Sequence, residues 1–150
     1  MKEVVYEPAD EMIAWARERI DGAGFRDDAR AIGLREDGAW RGVVVYDNFT
    51  TTGCWISVAS DASRRWLTRE FIVRSMIYPF VQLGYPRINA CVSCKNAASL
   101  AFCDGFGWTQ EGVMREAGSE GEDLIIFGLL RRECRWLPGR LTGKVSRHRL

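Results

Sequence analysis

At 150 residues the chain has room for one packed domain and not for two, and its 47% hydrophobic and 27% charged residues exclude a disordered, fibrous or coiled-coil chain. A formal net charge of +1 gives the molecule no general attraction to polyanions. The longest apolar runs, Val43 to Tyr46 and Leu124 to Leu130, are far too short to cross a bilayer, so no membrane association is expected. Residues Met1 to Pro8 lack the apolar core and small-residue cleavage site of a signal peptide, and the expected location is cytoplasmic.

In chain order, Met12, Ile13, Ala16 and Ile20 fall at helical spacing behind Asp10 and predict an amphipathic helix over Ala9 to Ile20. Ala31 to Leu34 and Gly42 to Tyr46 read as strands joined at Glu36-Asp37-Gly38, because Asp-Gly supplies the positive backbone angles of a tight hairpin. Gly53 to Ala59 extends this meander. At Ser60-Asp61 the period changes, and Asp61 or Ser63 is the expected cap of a helix carrying Trp66, Val73, Ile77 and Phe80 on one stripe. Pro79 removes a backbone donor late in that helix and should kink it. Arg87 to Val92 then reads as a strand and Ala97 to Asp104 as a short helix. Two strands, Trp108 to Glu116 and Asp123 to Leu130, close a hairpin around Gly118 to Gly121. The order predicts an α+β domain, a mixed sheet with helices on its faces, over residues 1–134. Residues 135–150 form a basic tail; from Arg131 to Leu150 the chain sets seven cations against the single acid Glu133, a composition suited to a solvated terminus or to contact with nucleic acid or an acidic partner.

The cysteines Cys54, Cys91, Cys94, Cys103 and Cys134 are odd in number and sit in apolar stretches, which predicts buried, reduced thiols. Cys91 and Cys94 have the Cys-x-x-Cys spacing, but no second such pair exists and the only histidine is His148, so no metal is expected. Trp40, Tyr46, Phe49 and Trp55 cluster in the meander as sheet core or as the wall of a groove.

The most specific pattern is Asn96, then Ser99 one turn on, then Phe106-Gly107-Trp108, then Glu111-Gly112 and a strand. Together with the Tyr78 to Ile88 passage from helix to strand, it resembles the GNAT N-acetyltransferase superfamily, most closely the branch that acetylates ribosomal-protein N-termini and related amines. The resemblance runs from about Ala31 to Leu130. It implies a mixed, mostly antiparallel GNAT-type sheet and transfer of an acetyl group from acetyl-CoA to an amine by direct attack, without a covalent enzyme intermediate.

Acetyl-CoA presents a pyrophosphate at one end and a thioester at the other. A helix start after a strand suits the first, and here Ser63, Arg64, Arg65 and Trp66 occupy that turn. The family's turn carries glycines, whereas Ala62-Ser63-Arg64-Arg65 has none, which calls for side-chain help from Ser63 and the arginines. Splayed strands around Ser57 and Val58 and around Ile88 to Val92 are the expected bed of the pantetheine arm, with Asn96 as a further contact and helix cap. Ser99 stands where the resembling branch places a Ser near the sulfur, and Cys103 where other members have a Tyr; either could protonate the departing thiolate. The resemblance implies a carboxylate in the strand before the cofactor turn, where Cys54 to Ala59 has none, or late in the strand after Glu111-Gly112, where this chain has Gly118. Glu116, two residues earlier and on the same face of a continuous strand, is therefore the expected base, with Asp61 acting through water behind it. The loops at 21–28 and 47–52 are the expected seat of acceptor specificity. Two other readings keep the fold: a binding module without turnover that uses the basic tail, and an enzyme acting on a nucleobase amine.

Overall fold

The Asp37-Gly38 pair closes the first hairpin with φ of 51° and 83°, the double positive turn whose twist matches its flanking strands. That hairpin sits inside a computed structural model that describes residues 1–142. The elements are β1 (Lys2–Val5), α1 (Ala9–Arg17), β2 (Arg30–Glu36), β3 (Ala39–Asp47), β4 (Trp55–Ser60), α2 (Arg69–Ile77), β5 (Arg87–Ser93), α3 (Ala97–Phe106), β6 (Thr109–Met114) and β7 (Leu124–Leu130). They build a 7-stranded sheet in the order β1-β2-β3-β4-β5-β7-β6. Every neighbouring pair is antiparallel except β4 and β5.

Strand alternation divides the core between two faces. Val44, Tyr46 and Ile56 point to the face covered by α2 and α3, with Phe71, Phe80, Ile88 and Phe106. Val43, Val45 and Ala59 point to the opposite face, where Met12 and Ala16 of α1 cover them. Phe71 and Phe80 are wholly buried, each contributing about 1.5–3 kcal/mol of apolar burial.

Several expectations shift. β1 had no counterpart in the sequence reading; it pairs with β2 at the sheet edge. α1 stops at Arg17 rather than Ile20. The second helix starts at Arg69, not at Asp61 or Ser63, because Thr68 caps it by accepting from Phe71 N. Trp66 therefore lies outside the helix stripe. Pro79 acts as expected in kind: α2 passes into a π-turn over Tyr78–Gln82, where Leu83 N donates to Tyr78 O. Lacking an N–H, Pro79 leaves the carbonyl of Ser75 without its helical donor. The Tyr46 hydroxyl fills the gap at 2.6 Å, and its burial holds the phenol well above its ordinary pKa.

The packed body also continues past residue 134. Cys134, Leu137 and Thr142 are buried, and Trp136 Nε1 donates to Phe106 O at 3.0 Å. Lys144, Arg147, His148 and Arg149, most of the expected basic tail, lie outside the described residues. Among the described residues no helix is long and apolar enough to cross a membrane, and no cluster of three metal-ligating side chains occurs. Cys54, Cys103 and Cys134 are buried as expected, but Cys91 and Cys94 are exposed.

Candidate active site

β4 is zipped on one edge and open on the other. Along β3 it keeps six register pairs, from Gly42↔Ser60 to Asp47↔Trp55. Along β5 it keeps one, Trp55↔Asn89. Asn89 locks this apex through its backbone N–H and its side-chain amide, both donated to Cys54 O, at 2.9 and 3.3 Å. Gly53 permits the approach, since a Cβ there would lie 2.7 Å from Arg87 O. Beyond the apex the strands part, and their facing backbone groups border a cavity of about 1030 Å³.

The wall on the α2 and α3 side is aromatic and polar by turns. Trp66, Phe102 and Phe106 follow one another with ring centroids 5.4 and 5.6 Å apart, and Ser75, Asn96, Ser99 and Cys103 interrupt them. Asn96 caps α3 by accepting from Ser99 N at 3.1 Å, while Gly107 ends the helix at a φ of 111° and donates to Cys103 O. The cap thus fixes Ser99 and the helix turn that carries Cys103. Burial pushes the Cys103 thiol up to about 11, so it remains protonated through neutral pH. Ser75 is 3% exposed, and among the described residues its Oγ has no hydrogen-bond partner.

The opposite mouth is formed by residues 19–25, the end of β3 and the β6–β7 loop. It presents Asp21, Asp47, Glu120 and Glu122 with Trp55 and Phe25. Glu120 is paired with Lys95 at 3.4 Å. Glu122 accepts from Glu120 N and from Ser93 Oγ, contacts that hold its carboxyl below the usual range.

The sequence-derived residues divide accordingly. Ser57, Val58, Trp66, Asn96, Ser99 and Cys103 line the one cavity; Ser63, Arg64, Arg65 and Glu116 do not. Ser63 is taken up in a local turn, donating its hydroxyl and N–H to Asp61. Arg65 reaches Glu36 at 3.3 Å, and Asp61 is bound to Arg41 at 3.1 Å, which removes it from water-relayed base duty. Arg64 is exposed on the loop before α2. Glu116 lies past the end of β6, in the turn at a φ of 57°, so the argument from a continuous strand face fails. Glu111 is tied to Arg87 at 2.6 Å. Asp47, Phe102 and Ser75 carried no separate signal, since their place in the wall depends on the register of β3 with β4 and on the packing of α2 and α3.

No protein-family model matches the sequence. The SPbeta prophage-derived uncharacterized N-acetyltransferase YokL of Bacillus subtilis strain 168 is 25% identical over 132 residues, spanning 83% of this chain and 72% of the relative. Among solved structures, a dodecameric spermidine N-acetyltransferase from Vibrio cholerae superposes with a TM-score of 0.68 at 14% identity, covering 86% of this chain and 93% of that one. The ribosomal-protein-S18-alanine N-acetyltransferase from Escherichia coli gives 0.66 at 16%, covering 87% and 94%. The fold is that of the GNAT superfamily, and the sequence relative is itself an N-acetyltransferase.

Proposed function

We propose that the protein moves an acetyl group from acetyl-CoA to an amine held at the opposite mouth of the same cavity. The observation that carries this reading is the single β4–β5 bridge, because parting there frees backbone donors and acceptors for an amide-bearing arm without breaking the β3–β4 ladder. The orphaned Ser75 hydroxyl supports it: a buried polar group without a partner costs about 1–3 kcal/mol, and an arm lying along the α2 wall offers that partner. The Thr68-capped start of α2, whose first amides have no helical acceptor, suits the pyrophosphate, and exposed Arg64 in the glycine-free turn before it can add a cation. Glu70 opposes phosphate in that first turn but is held by Arg74 at 3.1 Å.

The neutral amine nitrogen attacks the thioester carbon, the C–N bond forms, the nitrogen gives up one proton to a base, the C–S bond breaks, and the departing sulfur takes a proton. Ser99 and the protonated Cys103 are the donors within the wall. The ribosomal-protein and spermidine relatives both act on amines, and a protein N-terminus, a lysine or a small amine is the acceptor class. Titration with acetyl-CoA, followed by tryptophan fluorescence and thermal melting, tests the reading. At a hundredfold excess over Kd the protein should gain about 2.7 kcal/mol. No fluorescence response and no rise in Tm at millimolar acetyl-CoA would contradict it.

A further inference from the structure

We propose that Asp47 is the carboxylate that takes the acceptor's proton, an inference that rests on the acetyl-transfer reading above. β4 carries no acid, and the acids that line the cavity are Asp21, Asp47, Glu120 and Glu122. Asp47 ends β3 and pairs in register with Trp55, the residue whose own pairing with Asn89 forms the apex. Paired residues share a sheet face, so Asp47 and Trp55 stand together at the closed end of the cleft, on the acceptor side. Both line the cavity. Its Oδ2 accepts from Arg26 N at 3.1 Å, and among the described residues Oδ1 accepts from nothing and no cation forms an ion pair with Asp47. The other cavity acids differ: Glu120 is paired with Lys95, both oxygens of Glu122 are engaged, and Asp21 is exposed at the rim. Burial, and after it the charge of Asp47, raises the thiols of Cys54 and Cys91. The Asp47 field therefore reaches residues on either side of the apex.

The amine enters neutral, having lost its first proton to solvent. As its nitrogen bonds to the thioester carbon it becomes positively charged and strongly acidic, and its remaining excess proton passes to the Asp47 carboxylate. The C–S bond then breaks and the thiolate is protonated.

Asp47→Asn tests this cleanly, since its amide oxygen still accepts from Arg26 N and preserves the loop contact. Acetyl-CoA affinity, read by tryptophan fluorescence, should stay within about twofold, as the loop contact is kept. Transfer to n-butylamine should fall by about 100-fold. Transfer to hydroxylamine, whose weakly basic nitrogen gives up its proton readily, should fall far less, and Asp47→Glu should restore part of the butylamine rate. Equal losses with both amines, no loss with either, or a wild-type protein that binds acetyl-CoA yet acetylates neither amine would overturn the assignment. Failure of acetyl-CoA to bind would instead overturn the cofactor reading together with this one.

Discussion

The two edges of β4 make opposite use of the same strand. Against β3 every residue from Trp55 to Ser60 has a register partner, and the aromatic and β-branched side chains there fill both faces of the core. Against β5 one partner remains, and the rest of the edge borders the cavity. A parallel pair that parts after one bridge gives up ladder bonds that a continuous sheet would keep. The geometry therefore persists only because the apex is locked by Asn89 and by the close approach at Gly53, and because α2 and α3 cover the opening from one face. Stability resides in β1 to β4 and in the β5-β7-β6 layer; the seam between them is the proposed binding site.

Substitutions that act on only one side of the seam sharpen this contrast. The largest effect is expected at the apex: Gly53→Ala forces a Cβ against Arg87 O and should cost about 1–3 kcal/mol in urea unfolding, with loss of acetyl-CoA binding. Unchanged stability would mean that the apex tolerates separation. Next comes the pair of helix caps facing the seam. Thr68→Ala and Asn96→Ala each remove a side-chain acceptor from a helix start and should each cost about 1 kcal/mol by the same measurement. Thr68→Ala should weaken acetyl-CoA through the phosphate end, whereas Asn96→Ala should act at the thioester end, lowering turnover more than affinity.

A smaller effect separates the thiols. The buried Cys54 and Cys103, pushed up to about 12 and about 11, should resist a thiol reagent at neutral pH until the chain unfolds. Exposed Cys94 should react at once, and acetyl-CoA should slow modification of Cys91 alone. Mass mapping of the labelled chain reads the order, and early labelling of Cys103 would contradict the packed α3 wall.

The smallest effect is an acid one at the loop before α2. Burial disfavours the Asp61 carboxylate, but the Ser63 hydroxyl and N–H and the Arg41 guanidinium outweigh that and hold its pKa below 3.8. A depressed folded pKa contributes stability above the unfolded value that is lost as pH falls through the folded one. Wild type should therefore lose its small advantage over Asp61→Asn only below pH 3.8, as measured by paired melts across that range.

The parts legible in the sequence were those fixed by local chemistry. Asp37-Gly38 announced its hairpin, and the Asn96-to-Gly107 spacing announced a capped short helix, since each rests on neighbouring residues. The loop from Asp61 to Thr68 misled because it contains three cap-forming side chains. Asp61 spends its capping capacity on a local turn with Ser63, next to Ala62 at a φ of 69°, and Trp66 is seated against Gly42 of β3. Helix formation is thereby postponed to Thr68, an outcome set by a local turn and by a loop-to-strand contact rather than by helix propensity. Glu116 misled in the same way, since strand length decided whether it shared a face with Gly118. Asp47 was visible only as the first residue of a loop; its position at the apex follows from two registers, β3 with β4 and β4 with β5.

The central claim, that the β4–β5 seam is the acetyl-CoA site, is tested most directly by amide hydrogen exchange with and without acetyl-CoA. The account predicts slowed exchange at Ile56 to Ser60, Ala90 to Ser93 and the start of α2, with β1 to β3 unchanged. Protection spread evenly over the sheet, or confined to residues outside the seam, would contradict it.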